Sequence, residues 1–566
     1  MNCKHRHDHL KMRHTQRRMT SMHSYIHRHL RRLLSIICVG LALAAAFILP
    51  ARVGSQTESS ARPSAQPGAQ VRRPSFSITT TERFDAASVP PYRGAHAQAY
   101  AYIDSHLPQH LENLRRWVRQ PSVSAQNQGV QEMAAMLRDD LKRLGFREAE
   151  VTPTSGHPGV WGFYDAGAEK TLAVYMMYDV QPVEPQGWQV SPFDGALVDH
   201  SLGRVLMARG ATNQKGPERA FLNALESILK SGGRLPVNLM VLAEGEEELG
   251  SPHYPELIER YADRLRAASG VLFPFNGQGP DGSVSMTLGV KGILYFELEA
   301  RGNARGGPKT AEIHSSLKAV TDSPVWRLTQ ALASLTTPDG NTILVPGYYD
   351  AIRPPSIEEQ RLVNGMLQSW TDRESLMRQG LGVDRWVDGI AGRESLMQYL
   401  FGTSLNIDGI WSGYTGPGTK TILPHVATAK LDSRLVPDQT PEEALRLIRQ
   451  HLDRQGFADI QIRQLSGYPP AQTSVEAPLV RAAIGAYAKY GHIPSVSPRL
   501  AGSAPYHVFT KRLRLPVLAG GLGHGAGAHA PNEYMVIEPK AGSKIAGLAD
   551  VEKFYVDLLH ALAQAQ

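Results

Sequence analysis

Cysteine is nearly absent from this chain. Cys3 and Cys38 are its only two in 566 residues, and both fall within the first 51. Beyond that leader there are neither thiols nor disulfides, so stability has to come from a buried core. Excess charge is missing from most of the chain as well. The formal +7 is concentrated in residues 1–51, where nine Lys and Arg stand against Asp8 alone, and the remainder comes to −1. The basic balance therefore gives no reason to expect a nucleic-acid partner. Internal repeats are lacking too. The apolar run at 33–49, LLSIICVGLALAAAFIL, carries no charge and is followed by Pro50-Ala51. Behind a basic stretch it reads as a secretory signal with a long n-region. Its 17 residues also approach the lower limit for an uncleaved membrane anchor. The expectation is an exported protein, periplasmic or secreted.

What is plentiful is apolar content, 42% over a length that implies more than one domain. Residues 52–92, rich in Ser, Pro, Gln and Ala and without apolar periodicity, read as a disordered linker. Helical spacing follows over 97–119 and 130–144, then short β-like runs at Val151, 160–164 and 171–178. A helix over 217–230, with Pro217 in its first turn and Gly232-Gly233 beyond its end, leads into a strand at 235–243. This alternation predicts an α/β fold, a catalytic domain with a twisted mixed sheet flanked by helices, assembled from 93–290 and 471–566. Between these parts the pattern changes. Alternating strands at 293–300 and 426–435, each with a helix behind it (325–335 and 441–455), predict a smaller inserted α+β domain over 291–470. Within it, 338–411 looks like a long elaboration.

The candidate chemistry centres on 241–251, VLAEGEEELGS, where an apolar run breaks into four glutamates and two glycines. Acid at the end of a buried strand calls for a bound cation, with one carboxylate kept free as a proton carrier. It also suits a helix N-terminus dressed to complement the macrodipole. Three other segments could supply partners: Tyr178-Asp179 after a strand, RGATNQKGP at 209–217, and GAHAPNE at 527–533 with His529. Singly each has an ordinary reading, Asp179 as a cap and His529 as a loop histidine. The 209–216 loop and the acidic turn both sit where a loop meets a strand end or helix start, the usual place for sites in open α/β sheets.

Taken in order, YDVQP (178–182), RGATNQKGP, EGEEELGS, TLGVKG (287–292), GPGTKT (416–421), RLVPDQ (434–439) and HAPNE resemble the M20 family of metallopeptidases. The likeness is to its carnosinase and cytosolic dipeptidase branch and runs from His96 to the C-terminus. It implies a catalytic domain housing two metal ions and a lid domain that also mediates dimerisation, hence a homodimer acting on a small molecule or short peptide. It further implies Glu247 as general base, Glu248 and His529 as ligands of one ion, and Asp179 as a residue that orients a ligand. His314, in AEIHSS, resembles the lid histidine that steadies a developing oxyanion, and a surface histidine near a turn fits it as well. Arg434 and Lys420 lie in lid motifs that meet a substrate carboxylate or form structural salt bridges. Gly502 and Ser503, in AGSAP, resemble a turn that offers backbone N–H groups near the site.

The departures from the family pattern are specific. Met177 stands where the family has its first metal-ligating histidine, and Asn213 where it has the bridging aspartate. At 272–277 the chain offers Phe275 and Asn276 where another acid is expected. Both private ligands of one ion are thus missing, and a thioether is a poor substitute for them. For the other ion Glu248, His529 and the neutral donor Asn213 remain, and three protein ligands plus water suffice for catalytic zinc. The expectation is one divalent ion, zinc or else manganese, in an amidohydrolase that cleaves a dipeptide or an N-acyl amino acid. The same architecture turned to a non-peptide C–N bond, and an inactive homologue that binds a ligand or partner, also fit the sequence.

Overall fold

The structure, a computed structural model, describes residues 71–565. The expected signal or anchor at 1–51 and the first part of the linker lie outside the described residues. Nine longer helices follow in chain order: α1 (Ala97–Arg119), α2 (Val130–Arg143), α3 (Lys215–Lys230), α4 (Pro324–Leu335), α5 (Ile357–Leu381), α6 (Arg393–Phe401), α7 (Pro441–Arg454), α8 (Pro478–Lys489) and α9 (Leu548–Gln564). Twelve strands build the two principal sheets: β1 (Glu148–Thr152), β2 (Gly159–Tyr164), β3 (Thr171–Met177), β4 (Asn238–Glu244), β5 (Val271–Pro274), β6 (Ser285–Thr287), β7 (Gly292–Arg301), β8 (Ser404–Trp411), β9 (Val426–Leu435), β10 (Gln461–Tyr468), β11 (Ser495–Ser497) and β12 (Val517–Gly520).

The larger sheet runs β1-β2-β4-β3-β5-β12-β6-β11 and is mixed, with parallel pairing at its centre, where β3 lies between β4 and β5. All seven residues of β3 are buried, as expected of a continuous apolar run covered on both faces. Leu172, Val174 and Met176 join the main core with α1, α3 and α9. Ala173, Tyr175 and Met177 join a second apolar cluster with Trp161, Tyr254, Phe273 and Phe509 on the other face. In the parallel register Met177 lies opposite Glu244, so β3 and β4 end level and their following loops leave the same edge of the sheet. That edge carries the site. A second antiparallel sheet, of Ala196–His200, Gly203–Met207, Gly525–Ala526 and Tyr534–Pro539, brings the RGATNQKGP loop beside HAPNE.

The inserted domain is an antiparallel sheet, β8-β9-β7-β10, with α4 and α7 packed on it. Leu294, Leu298 and Leu431 meet Leu328, Leu332, Ile448 and Leu452 there in one apolar cluster. The 338–411 elaboration contains the helix pair α5 and α6. Ser356 and Glu359 start α5 as a capping box, each side chain bonding the other's backbone N–H. This pair bonds to the catalytic domain: Glu358 accepts the Val475 N–H at 2.6 Å, and Arg373 donates to Ser495 at 3.0 Å.

One expectation is overturned. Residues 71–92 are ordered, although their composition reads as linker. Phe76 and Ile78 pack on Val363, Met366, Trp370 and Phe401 of α5 and α6, and the Thr79 N–H donates to Gln360 at 2.7 Å. Further along, the Tyr92 N–H donates to the Gly485 carbonyl of α8 at 2.9 Å. Two spaced apolar anchors and a row of backbone hydrogen bonds order a segment that has no periodicity of its own.

Candidate metal and catalytic centre

β4 delivers the acidic turn to the sheet edge, where Glu247–Leu249 form a single 3-10 turn closed by Gly250 at φ 86°. Left-handed backbone of that kind favours glycine, which is why the turn stops there. Its first N–H groups are answered by Asp179, fully buried just past the end of β3. Asp179 Oδ1 accepts from the Glu247 N–H at 3.1 Å, and Oδ2 accepts from the Glu248 N–H at 3.1 Å and the Ser124 hydroxyl at 2.7 Å. Asp179 therefore holds the backbone from which both glutamates project. Burial pushes its pKa up to about 7, against the pull of the Ser124 hydroxyl and the two N–H groups.

Glu248 is the meeting point of the polar side chains. Asn213 Nδ2 donates to its Oε1 at 2.8 Å, Gln181 Nε2 donates to its Oε2 at 2.8 Å, and His529 Nε2 lies 3.1 Å from the same Oε2. Asn213 Nδ2 and His529 Nε2 are 3.2 Å apart. The hydrogen bond to Glu248 raises the pKa of His529, whose backbone is held at φ 64°. Glu247, next in the chain to Glu248, is half-buried. Burial, and then Glu248 and Asp179, lift its carboxyl well above the ordinary range. The three residues expected to hold an ion thus converge, with Glu247 and Asp179 beside them.

Two contributors went unnoticed in the sequence. Gln181 lies inside the YDVQP motif yet has no charge to draw attention. Glu533, the last residue of HAPNE, is fully buried; its Oε1 accepts from the Thr212 and Asn213 N–H groups at 3.0 and 2.9 Å, and its Oε2 accepts from Arg209 at 2.7 Å. It fixes the loop that carries Asn213, as Asp179 fixes the acidic turn.

On the other side of the centre, Met177 is 2% exposed within the apolar cluster of Tyr175, Phe273 and Tyr506. Asn276 donates its amide to Thr212 at 2.9 Å, while its buried Oδ1 has no hydrogen-bond partner. The lid residues divide. Arg434 donates to Ser503 at 3.0 Å and to Asp432 at 3.1 Å, joining β9 to the AGSAP turn, where the Lys291 N–H donates to the Gly502 carbonyl at 3.0 Å. His314 is exposed and bonds Ser316 at 2.8 Å and Thr421 at 3.2 Å, and Lys420 pairs with Glu312. Within one chain these last two bond only to neighbours in the lid.

The sequence profile of peptidase family M20/M25/M40 matches residues 173–549, two thirds of the chain and every segment just described. The chain belongs to this family. It is similar to the Beta-Ala-His dipeptidase of Rattus norvegicus, 28% identical over 408 residues that cover 67% of this chain and 79% of the relative. It is also similar to the Cys-Gly metallodipeptidase of Candida albicans, 28% identical over 370 residues, covering 62% and 73%. Among solved structures, an M20 family metallo-carboxypeptidase from Sulfolobus solfataricus matches with a TM-score of 0.71 and 32% identity, over 80% of this chain and 99% of that one. Human carnosine dipeptidase 1 matches with a TM-score of 0.67 and 26% identity, over 82% and 99%. The chain is therefore an M20 enzyme of the dipeptidase-like branch, with catalytic and lid domains, in a metal-dependent peptidase family.

The side chains that converge on Glu248 offer a donor set of the size one ion needs. Ligands sharing a tetrahedral ion at about 2.0–2.1 Å stand roughly 3.3 Å apart; here Glu248 Oε1 is 2.8 Å from the Asn213 amide, its Oε2 is 3.1 Å from His529 Nε2, and that amide is 3.2 Å from Nε2. Turning the Asn213 amide about its last bond places Oδ1 toward the others in place of Nδ2. Among the described residues no three His, Cys, Asp or Glu side chains are grouped to hold a cation; beside Glu248 and His529 the available further donor is this amide. The position that the family pattern gives a second ion is lined by the Met177 thioether, packed in an apolar cluster, and by the uncharged amide of Asn276, with the buried Glu218 carboxylate bonded to the Met177 N–H.

Proposed function

We propose that this M20 enzyme is an exported one-ion hydrolase that cleaves the amide bond of a dipeptide or an N-acyl amino acid. The observation that carries this reading is the convergence of Glu248, His529 and Asn213 within 3.2 Å of one another, beside a Glu247 carboxyl that is not committed to that group. Zinc suits such a mixed N and O set, with manganese as the alternative. When bound, the ion would supply Lewis acidity at the scissile carbonyl.

Glu247 takes the proton of the attacking water and returns it to the leaving amine, and its raised pKa suits the second step. Asp179 fixes the backbone that carries Glu247 and Glu248 through their N–H groups. Arg434 offers a guanidinium fork to the substrate carboxylate beside Ser503, and Gly502 and Ser503 contribute backbone N–H groups. His314 and Lys420 serve the site from the lid of a partner copy in a homodimer built through that domain. The dipeptidase names of the relatives support a dipeptide substrate, and the basic, apolar leader supports export.

A second reading has its own observation. Both Glu248 oxygens already accept amide hydrogens, from Asn213 and Gln181, which would satisfy that carboxylate in a protein that binds a ligand without turnover. Metal content and hydrolysis, measured together on purified protein, separate the two. About one ion per chain with cleavage of at least one member of a dipeptide and acyl-amino-acid panel supports the enzyme. Metal at background with no hydrolysis favours the binder, and two tightly held ions would overturn the one-ion site.

A further inference from the structure

Away from the metal centre, α1, α2 and α3 border a cavity of about 560 Å³ on the outer face of the catalytic domain. Arg116 of α1, Arg143 of α2, and Arg219 and Lys230 of α3 line it, against two carboxylates, Asp140 and Glu226. Arg219 and Asp140 form its floor, with side chains 4% and 2% exposed. Asp140 alone serves three guanidiniums. It accepts from Arg116 at 2.6 Å and Arg219 at 3.2 Å, pairs with Arg143, and also accepts from the Trp117 indole at 2.7 Å. Glu226 stands 3.5 Å from Arg219 and is partly in water. Burial draws the Arg219 pKa down to about 9, with Arg116 and Arg143 adding to the effect and Glu226 and Glu552 opposing it.

The lining counts four cations against two carboxylates, an excess of two around a hollow with a buried arginine at its base, on which the buried Glu552 also acts. Basic residues near the C-termini of α1, α2 and α3 answer those helix dipoles, which accounts for Arg116, Arg143 and Lys230 but not for the buried Arg219, in the N-terminal half of α3. Guanidinium forks converging on one point are the arrangement that recognises a compact oxyanion. We propose that this cavity is a binding site for a small doubly charged oxyanion of phosphate chemistry, whose two charges match the excess. The site is separate from the metal centre, and α3 links them, since its first residue, Lys215, closes the loop that carries Asn213.

Inorganic phosphate is the probe. The full chain is first dialysed against a chelator, so that phosphate has no metal to bind, and thermal unfolding is followed while phosphate is titrated at constant ionic strength against chloride. The expected result is a saturable rise in Tm, with the midpoint moved at least tenfold to higher phosphate in both Arg143→Gln and Lys230→Gln. Both side chains are on the rim, Arg143 being 60% exposed, so these variants leave the fold intact. No saturable rise beyond that given by chloride, or midpoints in the two variants equal to that of the unaltered protein, would overturn the site and leave the arginines as a structural ion cluster.

Discussion

The two sides of the centre follow different physical chemistry although they share one sheet edge. The Glu248 carboxylate is met by two amides and an imidazole. Around Met177 the side-chain packing is apolar, while its N–H donates to the buried carboxylate of Glu218 at 2.8 Å, and the amide of Asn276 is tied to Thr212. The loops nevertheless run along the same frame on both sides, because Asp179 and Glu533 hold them by backbone N–H groups. These two carboxylates each accept from two backbone N–H groups of the loops. A frame of this kind keeps its geometry when the side chains it presents are replaced.

The largest expected effect belongs to Glu247. Replacement by Gln keeps the shape and removes the proton carrier, so kcat should fall by roughly 10²–10⁴-fold while metal content holds. Unchanged turnover would remove Glu247 as the base. Next come Glu248→Ala and His529→Ala, each of which should lower bound metal from about one ion per chain to near none, as read by elemental analysis. An ion retained in either variant means that the polar side is not the site, and the contrast between the two sides fails.

The fold was legible where periodicity was strong. The residues of α1, β9 and most of β3 stand out as helical or apolar runs, and the glycines after α3 mark its end. The α5 and α6 pair was not read, although Ser356 and Glu359 spell a capping box, because its apolar residues form a small cluster of their own instead of a long stripe. The order of 71–92 was invisible because it comes from Phe76, Ile78 and backbone hydrogen bonds to distant residues. At the site, charged residues were easy to select and Gln181 was not, since an amide reveals its role only once Glu248 is seen 2.8 Å away. Single-chain geometry likewise brings Arg434 to Ser503 but keeps His314 among lid residues, a separation that no motif spacing encodes.

Two smaller effects sharpen the contrast. Gln181→Ala removes a hydrogen bond that orients Glu248 and leaves every donor in place, so metal affinity should weaken by about 10–100-fold, with kcat at saturating metal little changed. An unaltered affinity would make Gln181 a bystander. Met177→His tests the apolar side directly. The imidazole would enter the cluster of Tyr175, Phe273 and Tyr506, where a buried ring nitrogen without a partner costs about 1–3 kcal/mol. Stability should fall by that amount in denaturant titration, and added zinc should not restore it, because Asn213 and Asn276 still bring no charge to a second ion. If zinc does restore it, with a second ion bound per chain, that side of the centre was one ligand short of an ion site and had not become core.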